Sequence, residues 1–213
     1  MHFFNLNNLR MTAGRGIVHS EMPYGDKTCV GLQLWVNLAK QYKMQAPKYQ
    51  ELKHEEIPQK SENGVHVKII AGESMGIKSP VYTLTPTMYL DFKLEKGSHL
   101  TQDIPTDWNS FVVVLKGSGV FGKGAKEKQC HVHHTLVLSK GDSISFRNNQ
   151  DEVLHFILIA GQPLNEPVVQ HGPFVMNTQQ EIQKTIDDYF GYKNGFENAA
   201  TWISDQKKAS KKT

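Results

Sequence analysis

Met11-Thr-Ala-Gly-Arg-Gly-Ile-Val-His-Ser-Glu-Met-Pro23 places an imidazole and a carboxylate two residues apart, at His19 and Glu21. On an extended strand such a pair leaves the same face. An imidazole beside a carboxylate, pointing into a β-barrel, suits a divalent transition metal such as iron. The stretch therefore predicts a barrel strand that carries part of a metal site.

The surrounding sequence predicts more strands of the same kind. Gly31-Leu-Gln-Leu-Trp-Val-Asn-Leu38 alternates apolar and polar residues, with Leu32, Leu34, Val36 and Leu38 on one face, and reads as a half-buried strand. Residues 40–63 are polar, contain Pro47 and Pro58, and read as a linker with a short strand at Tyr49–Leu52. Beyond them, β runs are expected at 65–71, 81–84, 88–94, 110–116, 120–121, 135–138, 142–147 and 154–160. Turns such as Gly117-Ser118-Gly119 and Asn148-Asn149 separate them. Many short, evenly spaced strands argue for a jelly-roll barrel or sandwich. The C-terminal end differs. Thr178 and Glu181 form a capping box, Ile182, Ile186, Tyr189 and Phe190 make an apolar stripe, and Gly191 closes the helix.

Composition excludes several classes. The 213 residues are 38% hydrophobic and 21% charged, with a formal net charge of +3, too mild to imply nucleic-acid binding. Part of the positive balance lies in a polar tail holding Lys207, Lys208, Lys211 and Lys212. Two cysteines, Cys29 and Cys130, make no disulfide framework and match no zinc spacing, which reads as a reducing compartment. The N-terminal residues lack signal-peptide character, and no apolar run approaches the ~20 residues of a membrane span. The expectation is a soluble intracellular protein without membrane or direct nucleic-acid contact.

The segment around His19 resembles the metal-binding strand of the pirin family of bicupin proteins. Gly16, three residues before His19, matches the glycine of the second cupin motif. The resemblance continues through Gly31–Leu38, Tyr49-Gln-Glu-Leu52, Gly76-Ile-Lys78, Tyr89-Leu-Asp-Phe-Lys-Leu94 and Leu158-Ile-Ala-Gly161. It is most specific at Glu166-Pro-Val-Val-Gln-His-Gly-Pro-Phe-Val-Met-Asn-Thr178, and Asn194-Gly195-Phe196-Glu197 adds to it. It implies an all-β cupin fold: one complete C-terminal jelly-roll barrel, the remnant of an N-terminal cupin, and a C-terminal α-helix. The implied domains are an incomplete N-terminal cupin at 1–57, a C-terminal cupin at 65–175, and a helix with a basic tail at 176–213. Residues 1–10 do not resemble the family at that point, so the chain reads as an N-terminally truncated form.

The resemblance also implies the site. His19 and Glu21 are the metal ligands, Glu21 also serves as the catalytic proton acceptor, and the metal is iron (Fe2+/Fe3+). Two further family histidines, from a His-Pro-His-Arg-Gly-type motif, have no counterpart here. Water fills the remaining coordination, affinity falls, and His2 is a candidate third ligand. In an alternative reading Arg15 and Glu21 both sit near the metal mouth, where a charged side chain tunes or gates access. In the second barrel Gly141, Ile144 and Asn148 fit the second cupin motif, with Ile144 in the position of a ligand histidine. Gln102, Ile104 and Asn109 occupy the approximate positions of the first motif. Isoleucine cannot coordinate iron, so this barrel is expected to be metal-free. His131, His133 and His134, with His155 on a neighbouring strand, form a cluster better read as a solvated hairpin end than as a copper or zinc site. His171 is read as a structural hydrogen-bonding residue.

Two function classes follow from the resemblance. One is a nuclear redox-responsive transcriptional co-regulator, found in nucleus and cytoplasm, whose partner is a transcription factor or other nuclear protein. The other is a quercetin 2,3-dioxygenase-type oxidoreductase acting on a flavonol. A truncated product without activity is the third reading.

Overall fold

Two-residue alternation in Val65–Ala71 buries Val65, Val67, Ile69 and Ala71 and leaves the residues between them half-buried, as one face of a pleated strand requires. The computed structural model describes residues 8–20, 28, 30–52 and 54–204. In chain order it begins with β1 (Asn8–Thr12), α1 (Lys40–Lys43) and β2 (Lys48–Leu52). Next come β3 (Gln59–Glu62), β4 (Val65–Ala71), β5 (Glu73–Ser74), β6 (Ile77–Lys78), β7 (Thr87–Leu94) and β8 (His99–Asp103). They are followed by β9 (Asn109–Lys116), β10 (Ser118–Phe121), β11 (Lys128–His131), β12 (Thr135–Val137), β13 (Ser143–Arg147) and β14 (Leu154–Gly161). The chain closes with β15 (Val169–His171), β16 (Phe174–Met176) and α2 (Gln179–Phe190).

Two units result. One joins Met1–His54 with Leu164–Thr213, and the other is Glu55–Pro163. The strand pair β15–β16 and α2 thus pack with the first 54 residues.

Unit 55–163 is a two-sheet barrel. One sheet runs β11-β10-β13-β8 and the other β12-β9-β14-β7-β4-β3, with antiparallel pairing throughout. Both sheets turn their apolar faces into one core. Phe92 and Phe156 from the six-stranded sheet meet Phe121 and Phe146 from the four-stranded one. Ring centroids lie 4.9 Å apart for Phe92–Phe146, 4.9 Å for Phe146–Phe156 and 5.0 Å for Phe121–Phe156. Tilted and edge-on contacts of this kind are the preferred aromatic geometry, and they lock the two sheets together.

In the other unit β1 pairs with β2, Met11 facing Tyr49 and Thr12 facing Lys48. The Glu166–Thr178 stretch ties α1 to α2. Glu166 Oε2 accepts from Lys40 N at 2.8 Å and from Asn177 Nδ2 at 3.1 Å. Lys43, buried, donates to Asn37 Oδ1 and Val175 O, and burial holds its pKa below the usual lysine range against the pull of Glu166 and Glu181. At α2, Thr178 Oγ1 accepts from Glu181 N at 3.2 Å while Glu181 Oε2 accepts from Thr178 N at 2.9 Å, completing the expected capping box. The helix packs on β15 and β16.

Several expected elements differ. Residues 31–39 form no strand; Leu32, Trp35 and Val36 are exposed. A strand is defined by its hydrogen-bonded neighbour, and no described segment pairs with this one. Residues 81–84, between Pro80 and Pro86, are likewise not a strand, and Tyr82 is exposed. The short strand expected at Tyr49–Leu52 is β2, and the rest of the expected linker also supplies α1 and the polar edge strand β3. Gly191 ends α2 in the right-handed region, at φ −83° and ψ −1°, and the left-handed turn falls later, at Tyr192 and Asn194. Glycine is needed at 191 for space, since a Cβ there would lie 2.8 Å from Asp187 O.

Candidate metal centre

The segment leading to His19 is built by a tight turn. After β1, Gly16 N donates to Ala13 O at 3.0 Å and Arg15 N donates to Gln45 O at 2.9 Å. Gly16 has φ +136°, and a Cβ there would lie 2.2 Å from Phe196 Cζ. Only a residue without a side chain lets the turn rest on that ring. Phe196 is buried and sits edge-on to Tyr189 at 5.3 Å and to Phe174 at 6.0 Å. The turn therefore lies on an aromatic pad supplied by the end of the chain. Arg15 packs on Gly195, where a Cβ would come within 2.9 Å of Arg15 Cγ. Gly195 N donates to Glu197 Oε2 at 3.0 Å, and backbone N–H donors of Glu197 and Gly195, helped by the Arg15 guanidinium, hold the Glu197 carboxyl below its usual range.

His19 follows this turn and is exposed. Residues 16–20 are not a strand, so the strand expected to carry His19 is absent at this position. The physical reason is the turn itself: its positive-φ glycines and its seat on Phe196 take the chain out of the β1–β2 ladder after Thr12. Glu21 lies outside the described residues, as do His2, Cys29 and the lysines at 207, 208, 211 and 212. Among the described residues no three His, Cys, Asp or Glu side chains gather in a way that would hold a metal ion. The described residues thus offer one imidazole at this place, short of a full ligand set for iron.

In the second barrel the cupin-motif positions hold other chemistry. Ile104 and Ile144 are buried in the core, and Ile144 lies directly opposite Gln102. Gln102 is buried and satisfied: Oε1 accepts from Ser74 Oγ at 2.6 Å, and Nε2 donates to Asp103 O at 2.9 Å and Glu73 O at 3.2 Å. Asn109 is exposed. Asn148, fully buried, donates to Leu94 O and Glu152 O and accepts from Gln150 N. It pins the turn that follows β13.

The other candidates separate. His131 ends β11, His133 has φ +68°, and His134 folds back so that its Nδ1 lies 3.0 Å from His131 N, with the rings 5.7 Å apart. The left-handed turn at His133 breaks the alternation that would have put His131 and His133 on one face. All three are exposed. His155 is not on a neighbouring strand. It lies on β14 in the opposite sheet, buried, with Nε2 2.7 Å from Asp91 Oδ1. His171 is exposed at the end of β15, and no side-chain hydrogen bond joins it among the described residues, against the structural role expected for it. Cys130 is buried in the core, and burial pushes its thiol pKa up, away from reactivity. Two features escaped the sequence reading: the Asp91–His155 pair, visible only once β7 and β14 are in register, and the seat of Gly16 on Phe196.

A two-sheet, antiparallel barrel with these motif positions defines a cupin. Residues 89–195 match the Pirin C-terminal cupin domain. The chain is 54% identical over 194 residues to Pirin of Mus musculus and of Homo sapiens, covering 91% of this chain and 67% of each relative. It is 55% identical over 194 residues to the Pirin-like protein of Solanum lycopersicum, covering 66% of that protein. The chain belongs to the pirin family. It spans about two thirds of the length of these relatives. Among solved structures, a quercetin 2,3-dioxygenase from Acinetobacter baumannii is similar with TM-score 0.69 and 36% identity, covering 76% of this chain and 55% of that one. A protein from Geobacillus kaustophilus is similar with TM-score 0.69 and 38% identity, covering 75% of this chain and 65% of that one. No helix among the described residues is long and apolar enough to cross a membrane.

Proposed function

We propose that this chain is an iron-binding pirin that works as a redox-responsive transcriptional co-regulator in nucleus and cytoplasm, with His19 and Glu21 as its protein ligands. One observation carries the reading: His19 is exposed, at the end of a turn braced on Phe196. An exposed iron changes the charge of a surface by one unit on oxidation, and a partner protein senses that change. On this reading residues 1–57 are the second half of an N-terminal cupin, residues 65–175 the C-terminal cupin, and 176–213 a helix with a basic tail. The partner is a transcription factor or other nuclear protein. Water completes the coordination, so iron is held weakly.

A second reading is favoured by the 36% identity to a quercetin 2,3-dioxygenase. In it Glu21 takes a proton from a flavonol bound at the same place.

The test is iron content after loading the full chain with Fe2+, beside a His19→Ala, Glu21→Ala double variant. Saturable binding that approaches one iron per chain only at excess Fe2+ in the parent, lost in the variant, is the expected result. No iron in either protein overturns both readings. Flavonol consumption by the loaded chain would select the dioxygenase. Partner binding that changes with the iron oxidation state, without turnover, would select the co-regulator.

A further inference from the structure

The outer face of the six-stranded sheet carries an arrangement that neither reading uses. Because β4 buries Val65, Val67 and Ile69, its His66 and Lys68 stand on the opposite face; Asp91 and Lys93 do so on β7. The register lines them up. Ser61 faces His66, His66 faces Lys93, Lys93 faces His155, and His155 faces Lys116. In the next row Gln59 faces Lys68, Lys68 faces Asp91, and Asp91 faces Ile157. Five adjacent strands thus set three lysines and two histidines around one carboxylate.

The charges on this face are not balanced. Asp91 Oδ1 is 2.7 Å from His155 Nε2, so one of its carboxylate oxygens is already engaged by β14. Lys116 lies 3.7 Å from Glu152 and is accounted for. Neither Lys68 nor Lys93 has a hydrogen-bond or ion-pair partner for its Nζ among the described residues. Ser61 Oγ is 2.7 Å from His66 Nδ1. A hydroxyl donating there leaves the imidazole proton on Nε2, which has no partner among the described residues. Three donors therefore share one half-buried patch whose carboxylate, Asp91, is already engaged by His155. Burial and like charge act on them together. Burial first, and then the nearby ammonium groups of Lys68 and Lys93, hold His66 below its usual range against the weaker pull of Asp91. Burial and Lys93 do the same to Lys68, again opposed by Asp91. Tyr89, the remaining titratable group on this face of β7, is pushed up by burial and by Asp91, so it stays neutral.

We propose that this face binds an oxyanion of the phosphate class, held by the Nζ groups of Lys68 and Lys93 and by the Nε2–H of His66. Such an anion supplies the acceptor these donors lack, and charge-assisted bonds to phosphate oxygens are the strong kind. It would also relieve the repulsion between the two ammonium groups and favour protonated His66.

The experiment is an NMR titration of the histidine ring signals of the full chain with inorganic phosphate, at ionic strength held constant with sodium chloride. Saturable movement of the His66 signals, with a rise in the His66 pKa, is the expected result. Lys68→Met and Lys93→Met should each weaken phosphate binding about tenfold, the loss of one charge-assisted bond. Lys128→Met, on an exposed position of the other sheet, should change nothing. Movement that is linear in phosphate, or unaltered in both lysine variants, overturns the site. A phosphoserine peptide is titrated in parallel. Tighter binding of the peptide than of inorganic phosphate identifies a partner protein as the source of the group, and equal binding identifies a small molecule; either supports the site.

Discussion

The seat of Gly16 on Phe196 can be tested by replacing the glycine with alanine. The new Cβ would lie 2.2, 2.4 and 3.0 Å from Cζ, Cε1 and Cε2 of the Phe196 ring, where ordinary contact begins near 3.4 Å. The ring would have to withdraw about 1.2 Å from a pocket closed by Phe174 and Tyr189. Overpacking of that kind costs about 1–3 kcal/mol. The φ of +136° adds roughly 1–3 kcal/mol for a residue with a side chain. Together Gly16→Ala should cost about 2–6 kcal/mol. The two contributions separate in a double-mutant cycle with Phe196→Leu, because leucine lacks all three clashing atoms. In that background only the backbone strain remains, so Gly16→Ala should become cheaper by about 1–3 kcal/mol. The assay is urea denaturation combined with peptide-level hydrogen exchange over residues 11–17 and 45–50. The amides of Arg15 and Gly16, bonded to Gln45 O and Ala13 O, report the turn directly. Equal costs of Gly16→Ala in the two backgrounds would refute the contact as the reason for the glycine.

Two further outcomes concern the unit that joins Met1–His54 with Leu164–Thr213. Thr178→Ala removes the side-chain acceptor for Glu181 N and should lower the stability of that unit by about 1 kcal/mol, read as a shift in the urea midpoint without a change in slope. Asp188 titrates low: burial raises its pKa, but hydrogen bonds from Lys184 and Asn194 and the charges of Lys184 and Lys193 outweigh it. A depressed carboxylate gives stability that is present above the unfolded value, near pH 3.9, and lost as pH falls through the folded one. Helix melting followed from pH 7 to pH 2 should therefore show an acid loss below about pH 4 that Asp188→Asn flattens; an unchanged acid profile in the variant would remove Asp188 as the cause.

The barrel was legible where burial writes a period of two into the sequence. The expected strand at 65–71 coincides with β4, and those at 88–94, 110–116 and 154–160 fall within a residue of β7, β9 and β14. Strands with one buried residue were not legible. In β8 only Gln102 is fully buried and in β11 only Cys130, so their sequences read as polar loops. The reverse error occurred at Gly31–Leu38, where the alternation is real but no partner strand accompanies it among the described residues. Pattern shows which face a strand would bury; it does not supply the neighbour whose hydrogen bonds make it a strand. The helix was fully legible at its N-terminus because a capping box is a local device. Its C-terminus was legible too, since Gly191 is the C-cap, but the left-handed residues that follow, Tyr192 and Asn194, carry only a weak signal.

At the candidate metal centre the sequence offers residue types without the contacts that support them. His19 and Gly16 could be singled out from a dozen residues of sequence. Phe196, which holds the turn, is about 180 positions away and has no reason to be paired with Gly16 until both are in space. The same holds for Asp91 with His155, and for His66 with Lys93, which become neighbours only through strand register. The barrel interior, by contrast, is occupied by the four phenylalanines and by Ile104 and Ile144. A ligand could enter it only by displacing side chains packed at van der Waals contact, which costs more than a pocket lined by apolar groups returns. A packed core leaves the surface for ligands, and the two surfaces proposed above are the turn that carries His19 and the charged outer face of the six-stranded sheet. These two surfaces draw on different residues, so a variant that abolishes iron binding at His19 should leave phosphate binding at Lys68 and Lys93 intact.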